Sequence, residues 1–374
     1  MKKEKQIFES LLEGSGVSIN GNNPEDLQVH NENFYRRVLS QGSLGLGESY
    51  MDGWWDCQSL DDFFYLILRY RIDEKVKEDW ILIVHALISK IFNLQSHSRA
   101  FIVGEKHYDT GNDLFVSMLG RTMGYSCGYW SSNPKALNLD EAQEAKFDLI
   151  CRKLGLKSGM RILDIGCGWG TFIKYATENY GVKAVGLTVS KEQEHFAREL
   201  CYGLPVEIRL KDYRDVNEKF DCIVSVGMME HVGYKNYRTY MEVANKNLKE
   251  GGLFLLHTIG SLKSITATES WIGKYIFPNG QLPSIKQIGE SIEGLFIMED
   301  WHNFGPDYDK TLMAWYENFK KSWPELKEKY SERFYRMWEY YLLSCAGSFR
   351  ARNNQLWQIV LSKNGVSGGY NTIR

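Results

Sequence analysis

The chain has 374 residues, and its 45 basic against 47 acidic side chains give a net charge of −2, which excludes the general attraction to nucleic acid that strongly basic chains have. This length favours two domains, or one domain with a large appendage. Aromatic residues make up 14% of the chain, a high share that indicates aromatic-lined cavities or a membrane-facing surface. Seven scattered cysteines without a Cys-x-x-Cys pair indicate a reduced, cytoplasmic protein that has neither a disulfide framework nor a zinc site.

Residues 1–115 are predicted to form a mainly helical N-terminal domain. Two apolar patterns at helical spacing, over 60–70 and 79–92, support this prediction. The most apolar stretch, 80–94, is too short and too polar to span a bilayer. It is interpreted either as a buried helix or as a helix that lies at the membrane interface.

Residues 116–374 are predicted to form an α/β domain around a doubly wound sheet, because short branched runs alternate with segments long enough for crossover helices. A long insertion begins near Trp271 and interrupts this rhythm with two aromatic-rich helices, over 308–327 and 331–348. A late run at 357–361 is expected to close the sheet as an antiparallel hairpin partner. The other predicted strands are 161–165, 183–187, 206–210, 221–226 and 252–257.

The first of these strands and the turn after it, Arg161–Gly170, form the most informative segment, which ends in Asp-Ile-Gly-Cys-Gly-Trp-Gly over 164–170. A strand that enters a glycine-rich turn lets a ligand come close to the backbone. The dinucleotide fingerprint would need a further glycine where Thr171 stands. Asp164 with Gly166 and Gly168 instead resembles motif I of class I methyltransferases. That resemblance implies a Rossmann-like fold with S-adenosylmethionine as methyl donor; an ordinary tight turn is the alternative.

Polar residues also follow the ends of later strands, where open parallel sheets bind their ligands. Asp212-Tyr213 is suited to accept a hydrogen bond from an adenine amino group and to stack on its ring, with turn chemistry or a helix cap as the alternative. Glu230, His231 and His257 are expected at one rim of the sheet. Such convergence favours chemistry over a structural role, and a base there would suit methyl transfer. No metal is expected, because no ligand pair has a typical spacing.

Several segments in one order resemble the full-length bacterial cyclopropane-fatty-acyl-phospholipid synthases. The segments are Tyr125–Trp130, Leu163–Gly170, Gly227–Gly233 and Leu255–Gly260, together with Gly42–Trp54 near the N-terminus and Trp301–Gly305, Tyr308 and Cys345–Arg350 near the C-terminus. The shorter mycolic-acid cyclopropane synthases share the methyltransferase motifs but lack an N-terminal lipid-binding domain of this kind. The phospholipid type therefore fits better.

This resemblance implies transfer of a methylene group from S-adenosylmethionine to the cis double bond of an unsaturated acyl chain in a membrane phospholipid. The family's reaction passes through a carbocation, which aromatic faces can stabilise, and bound bicarbonate is thought to deprotonate it as the cyclopropane ring closes. Cys345 matches a cysteine once proposed as a nucleophile, although this chemistry needs no covalent thiol. The implied bicarbonate cradle is Cys127, Glu230, His257, the backbone at Ile259, and Tyr308. The expected cofactor contacts are Tyr125, Ser126, Asp164, Gly166, Gly168, Thr188, Ser190, Gln193, Asp212 and Tyr213.

The resemblance also implies a homodimer and peripheral contact with the inner face of the membrane, with 1–115 binding lipid and the insertion in 116–374 binding the acyl chain. Two other functions stay open: a fatty-acyl methyltransferase that gives methyl-branched products, and an inactive lipid-binding homologue. The filled bicarbonate positions favour ring formation. The basic residues that are candidates to meet lipid phosphates, or else are ordinary solvated charges, are Lys75, Lys77, Lys90, Arg99 and Lys106.

Overall fold

A computed structural model describes residues 2–72, 112–132 and 134–374. The chain divides into two compact units, and each unit is made of separate stretches of sequence. The first unit comprises 1–92, 266–278 and 308–354, and the second comprises 93–265, 279–307 and 355–374. The units thus differ from the linear division into 1–115 and 116–374. The expected helix at 79–92, the apolar stretch 80–94 and the five basic residues from Lys75 to Lys106 lie outside the described residues.

Helices predominate in the N-terminal part, and strands alternate with helices from residue 161 onward. The N-terminal elements are α1 (Lys2–Leu12), β1 (Gln28–Val29), α2 (Asn33–Met51), β2 (Trp55–Asp56) and α3 (Leu60–Arg69). The elements from 112 to 226 are α4 (Asn112–Leu119), α5 (Leu139–Lys153), β3 (Arg161–Ile165), α6 (Thr171–Tyr180), β4 (Lys183–Thr188), α7 (Lys191–Leu200), β5 (Val206–Leu210) and β6 (Phe220–Val226). The remaining elements are α8 (Met229–Val232), α9 (Tyr237–Asn247), β7 (Leu248–Ser261), α10 (Ser270–Tyr275), α11 (Ile285–Ile292), β8 (Ile297–Asn303), α12 (Pro306–Leu326), α13 (Glu332–Arg350) and β9 (Asn354–Ser362).

The second unit is built on a seven-stranded mixed sheet with the order β5-β4-β3-β6-β7-β9-β8. The five strands from β5 to β7 pair in parallel, whereas β8 and β9 pair antiparallel. Strand order reverses beside β3, since the chain moves first to β4 and β5 and then returns to β6. This reversal is where open α/β sheets bind ligands, beyond the carboxyl ends of the strands. The structure confirms the predicted Rossmann-like, doubly wound fold.

Both faces of this sheet are buried. Side chains alternate along each strand, so that neighbouring residues pack into different core clusters. Leu163 and Ile165 of β3 pack with Phe254 in one core cluster. Ile162 of β3 packs with Val224 in the other. The near-continuous apolar runs that predicted the strands follow from this two-sided burial.

The edge of the sheet formed by β9 and β8 differs from its predicted form. Strand β9 is antiparallel to β8, with Trp301 opposite Ile359, as the late run at 357–361 predicted. The pair is not a hairpin, because α12 and α13 lie between the two strands in sequence. Strand β8 itself was not predicted, since its sequence Ile-Met-Glu-Asp-Trp-His-Asn is largely polar and only partly buried.

Aromatic packing explains why the first unit combines distant parts of the sequence. The ring of Tyr340 in α13 lies 4.5 Å from Trp271 of α10, 5.2 Å from Phe64 of α3 and 5.7 Å from Tyr50 of α2. The guanidinium of Arg336 lies 4.0 Å from the centre of the Tyr50 ring. The two aromatic-rich C-terminal helices therefore bury their rings against the N-terminal helices. In the part of the chain that the structure describes, no helix has both the length and the apolar character needed to cross a bilayer.

Candidate active site

The glycine-rich turn after β3 has a backbone that only glycine adopts without strain. Gly166 has φ of 86° and Gly168 has φ of 54°, both in the left-handed region. The amide of Gly166 donates to the carbonyl of Leu187 at the end of β4, at 3.1 Å. A Cβ atom added at Gly168 would meet no other atom within 4 Å. The backbone of the turn therefore borders open space at the point where the strand order reverses.

Asp164 lies at the end of β3 just before this turn, with only 2% of its surface exposed. Its Oδ1 oxygen is buried and has no hydrogen-bond partner among the described residues. Burial raises the pKa of Asp164 to about 7, an effect that the charge of Lys146 partly offsets. Since buried oxygens normally accept a hydrogen bond, this carboxyl suits a ligand that brings hydroxyl or ammonium donors, as S-adenosylmethionine does.

The residues predicted after β4 are connected to one another. The hydroxyl of Thr188 donates to Oε1 of Gln193 at 2.9 Å and accepts from the amide of Ser190 at 3.2 Å. Ser190 caps α7 by accepting from the amide of Gln193 at 3.3 Å. All three side chains are buried. The structure therefore brings them together beside the glycine turn and gives Ser190 a capping role.

Asp212 and Tyr213, predicted to meet the adenine ring, already have partners in the protein. The Asp212 carboxylate accepts from the Arg214 amide at 2.9 Å and from its guanidinium at 2.7 and 2.8 Å. The ring of Tyr213 packs 5.3 Å from that of Tyr240 in the core. The capping interpretation of Asp212 is thus what the structure shows, while its contact with adenine remains a prediction.

Tyr125 and Ser126 lie in the segment that precedes α5. The Tyr125 ring lies 5.2 Å from Phe115 of α4 and 6.5 Å from Trp169 of the glycine turn. Phe115 and Trp169 are themselves 5.2 Å apart. The three rings connect the 125–126 segment to the predicted cofactor turn. Cys127 follows Ser126, and its buried thiol donates to the carbonyl of Gly128 at 3.1 Å.

Lys146 is a residue of this region that the sequence did not reveal. It lies on α5 with 1% exposure, and its ammonium donates to Oγ of Ser126 at 2.7 Å and to Oε1 of Gln143 at 2.5 Å. Burial lowers its pKa to about 7, and negative charge at Cys127 or Asp164 would oppose that shift. A lysine on an amphipathic helix normally indicates the solvent face, so its pattern carried no signal of burial.

Glu230 projects from α8, directly after β6, and is nearly buried. Its Oε1 oxygen accepts a hydrogen bond from the Ile259 amide of β7 at 2.7 Å. Burial raises the pKa of Glu230 to about 7, although this hydrogen bond opposes the shift. The Ile259 carbonyl accepts from the Thr258 hydroxyl at 3.0 Å. Glu230 and Ile259 thus contact each other, and the Ile259 amide is engaged by the glutamate itself. Their predicted binding of bicarbonate remains a prediction.

His257 lies on β7 and is buried, so that its pKa falls well below the usual value and the imidazole is neutral. Its Nδ1 atom lies 3.3 Å from Nε2 of Gln358 on β9. The other ring nitrogen, Nε2, is buried without a partner among the described residues. His231 lies beside Glu230 on α8, where desolvation lowers its pKa to about 4. Its role at the rim of the sheet remains a prediction.

Tyr308 and Cys345 belong to the first unit. The Tyr308 ring stacks on Phe349 with centroids 4.5 Å apart. Burial, followed by the charge of Glu269, raises the pKa of the Cys345 thiol to about 12, which disfavours the thiolate that a nucleophile needs. All seven cysteines are free thiols. Within the described ranges, no group of three or more His, Cys, Asp or Glu side chains is arranged to hold a metal.

Comparison with known proteins decides the family. Residues 95–359 match the family model described as mycolic acid cyclopropane synthetase. Over 369 residues the chain is 56% identical to the cyclopropane-fatty-acyl-phospholipid synthase of Escherichia coli strain K12, which covers 99% of this chain and 96% of that protein. The chain belongs to the cyclopropane synthase family.

Two further relatives bear on the chemistry of this family member. The solved mycolic acid cyclopropane synthase CmaA1, complexed with SAH and CTAB, is 33% identical with a TM-score of 0.66, covering 73% of this chain and all of that one. The tuberculostearic acid methyltransferase UfaA1 of Mycobacterium tuberculosis is 33% identical over 350 residues, 88% of this chain and 81% of that protein. This cyclopropane synthase homologue is thus an S-adenosylmethionine-dependent methyltransferase.

Proposed function

We propose that the enzyme adds a methylene group from S-adenosylmethionine to the cis double bond of an unsaturated acyl chain in a membrane phospholipid. The product is a cyclopropane ring. The observation that carries the proposal is Glu230, a buried carboxyl with a pKa of about 7 that is hydrogen-bonded to Ile259 of β7, the strand that also carries the neutral His257. The substrate class follows the name of the E. coli relative, which is 56% identical to nearly the whole chain.

The residues around the glycine turn fit the methyl donor. S-adenosylmethionine supplies an electrophilic methyl group on a sulfonium sulfur. The unpartnered Oδ1 oxygen of Asp164 would accept one of its donors, and the open space at Gly168 would admit it against the backbone. The buried Thr188–Gln193 pair lines the next strand end. These residues bind and orient the donor, which is the main requirement because an alkene is a weak nucleophile that must be held in near-attack geometry.

We further propose that bicarbonate is the base, which would accept the proton lost as the ring closes. An anion beside a carboxylate is ordinarily unfavourable. Burial keeps Glu230 partly protonated near neutral pH, so its carboxyl can donate a hydrogen bond to the anion instead of repelling it. His257 is neutral and has its Nε2 atom available for a ligand. In this proposal Ile259 acts by holding Glu230, and Cys127 and Tyr308 remain the other predicted members of the cradle.

The aromatic-rich insertion is the proposed acyl-chain site. Its rings form a continuous series in the first unit, in which Phe277 lies 5.9 Å from Tyr341 and Tyr341 lies 5.3 Å from Trp338. Aromatic faces provide an apolar lining and attract a cation through their quadrupoles. Both properties suit an alkyl chain that becomes positively charged during the reaction.

A phospholipid substrate must be reached in its bilayer. We propose that the enzyme is cytoplasmic, that it docks peripherally on the inner face of the membrane through the helical domain at 1–115, and that it acts as a homodimer. Lipid phosphates would attract the basic residues named above, at about 1 kcal/mol for each charge near an anionic surface.

Expression in a host that makes no cyclopropane lipids tests the proposed function. Mass spectrometry of the host's fatty acids should show chains that gain 14 mass units and resist hydrogenation, as a ring does and a double bond does not. Methyl-branched chains would instead support a fatty-acyl methyltransferase, the function named for the 33% identical relative UfaA1. Unchanged fatty acids, together with lost binding of S-adenosylmethionine in a calorimetric titration, would indicate an inactive lipid-binding homologue.

A further inference from the structure

We propose that Gln358 is a positioning residue that fixes the proton of His257 on its Nε2 atom. Gln358 lies on β9, which neighbours β7 in the sheet. Both side chains are buried, with 0% and 1% exposure, and the amide Nε2 of Gln358 lies 3.3 Å from Nδ1 of His257. The inference rests on the proposed function, because that function gives His257 its place in the active site.

A neutral imidazole carries one N–H, so the hydrogen bond at one ring nitrogen decides what the other can do. Burial keeps His257 neutral, and positive charge at Lys146 and Lys153 adds to that effect. The Gln358 amide nitrogen is a donor only, and its approach makes Nδ1 an acceptor. The proton then belongs on Nε2, where His257 presents a hydrogen-bond donor.

This tautomer matches the chemistry that the site requires. A bound anion such as bicarbonate needs donors, and the buried Nε2–H has no partner among the described residues. The reversed amide would place Oε1 of Gln358 against Nδ1, move the proton there and leave an acceptor facing the anion. Gln358 therefore determines whether His257 attracts or repels the proposed base.

Nitrogen NMR of histidine-labelled protein tests the inference directly, with the His257 signal identified by its loss in His257→Gln. The native enzyme should show an unprotonated Nδ1 and a protonated Nε2. In Gln358→Met, which has similar volume and no donor, the Nδ1 signal should shift as its hydrogen bond is lost. Turnover should fall about 10- to 100-fold, with cofactor KM changed less than about threefold, since the cofactor contacts are separate.

Gln355→Met is the matched control. Gln355 is 8% exposed on the same strand and accepts a hydrogen bond from Asn303 at 2.7 Å, away from His257. It should leave the His257 signals and the turnover unchanged. A protonated Nδ1 in the native enzyme, or native turnover in Gln358→Met, would overturn the inference. If the native protein shows the expected tautomer yet makes no cyclopropane product, the proposed function fails while the assigned tautomer stands.

Discussion

The carboxylate of Glu230 and the backbone amide of Ile259 form a 2.7 Å hydrogen bond that joins the helix after β6 to strand β7. The contact uses the one donor of Ile259 and fixes the rotamer of a buried acid. It also leaves Oε2 of Glu230 without a partner among the described residues. An acid held in this way can relay, at a fixed position, the proton that the proposed bicarbonate accepts as the ring closes.

Glu230→Gln should therefore abolish proton exchange while retaining the contact with Ile259, because an amide oxygen still accepts its hydrogen bond. Turnover should fall about 100-fold or more, with the affinity for S-adenosylmethionine changed less than about threefold. Tyr308→Phe should behave in the same way. Steady-state kinetics and calorimetric titration measure the two effects. Glu242→Gln, at an exposed acid on α9, is the control, and a large loss of cofactor binding in the first two variants would contradict their placement.

The raised pKa of Glu230 also predicts how stability depends on pH. Between about 4.5 and 7 the folded protein holds a proton on this carboxyl that the unfolded chain has lost, so the free energy of unfolding decreases as pH rises. Relative to Glu230→Gln, the native protein should lose about 3 kcal/mol across that window. Urea unfolding of both proteins at pH 5 and pH 8 measures this difference. A constant difference would mean that the carboxyl is ionised when buried.

Lys146→Met should weaken cofactor binding about tenfold, because Ser126 and Gln143 lose a charged donor that holds the 125–128 segment in place. Lys153→Met is the matched control. It removes an equally buried lysine from the same helix, one whose partners are Asp300 and His302. Calorimetric titration with S-adenosylhomocysteine should show a loss in the first variant only. Equal losses in both would indicate general damage to α5.

Cys345→Ser should retain at least a third of native turnover. With a pKa of about 12 the thiol is almost entirely protonated at neutral pH, and the proposed chemistry uses no covalent sulfur. The activity of Cys345→Ser should therefore differ little from that of the native enzyme, both before and after treatment with a thiol-alkylating reagent. Complete inactivation by the serine substitution would restore Cys345 as a nucleophile.

Gly168→Ala separates backbone strain from ligand contact. Gly159 has a similar left-handed backbone, with φ of 84° and no atom within 4 Å of an added Cβ, but it precedes β3 and lies outside the proposed site. Both alanine variants should lose about 1–2 kcal/mol of stability. Only Gly168→Ala should also lower cofactor affinity, by about tenfold or more, since its methyl group would occupy the open space at the turn. Equal affinities would place the cofactor elsewhere.

Much of the second unit was predictable, because a sheet that buries both faces produces apolar runs that alternate with helices. The runs at 161–165 and 206–210 match β3 and β5 residue for residue. The helices α12 and α13, most of whose residues belong to the first unit, were also predicted within about two residues at each end. Strand β8 was not predicted, because it lies partly buried at the sheet edge. Polar residues such as Asp300 and His302 therefore interrupt its few apolar ones.

The positions of Asp164, Glu230 and His257 at or near strand ends could be read from the sequence, whereas their roles in a site remain predictions. The residues that support these three could not be read in this way. Lys146 is buried against the usual pattern for lysine, and Gln358 reaches His257 only because β9 lies beside β7 in space. Neither the burial of Lys146 nor the contact between Gln358 and His257 could be predicted from a regular spacing in the sequence. A local sequence pattern carries no information about tertiary contacts between distant segments.

The arrangement of the first unit also limits how the chain can be divided. Tyr340 and Trp271, from the later stretches, bury their rings beside Tyr50 and Phe64 from the first 92 residues. A fragment that starts at residue 116 would keep the two later stretches and lose the surface that covers them. Its exposed aromatic faces would favour self-association. Co-expression with the missing N-terminal piece, rather than truncation, is the suitable way to study the sheet-containing part of this enzyme.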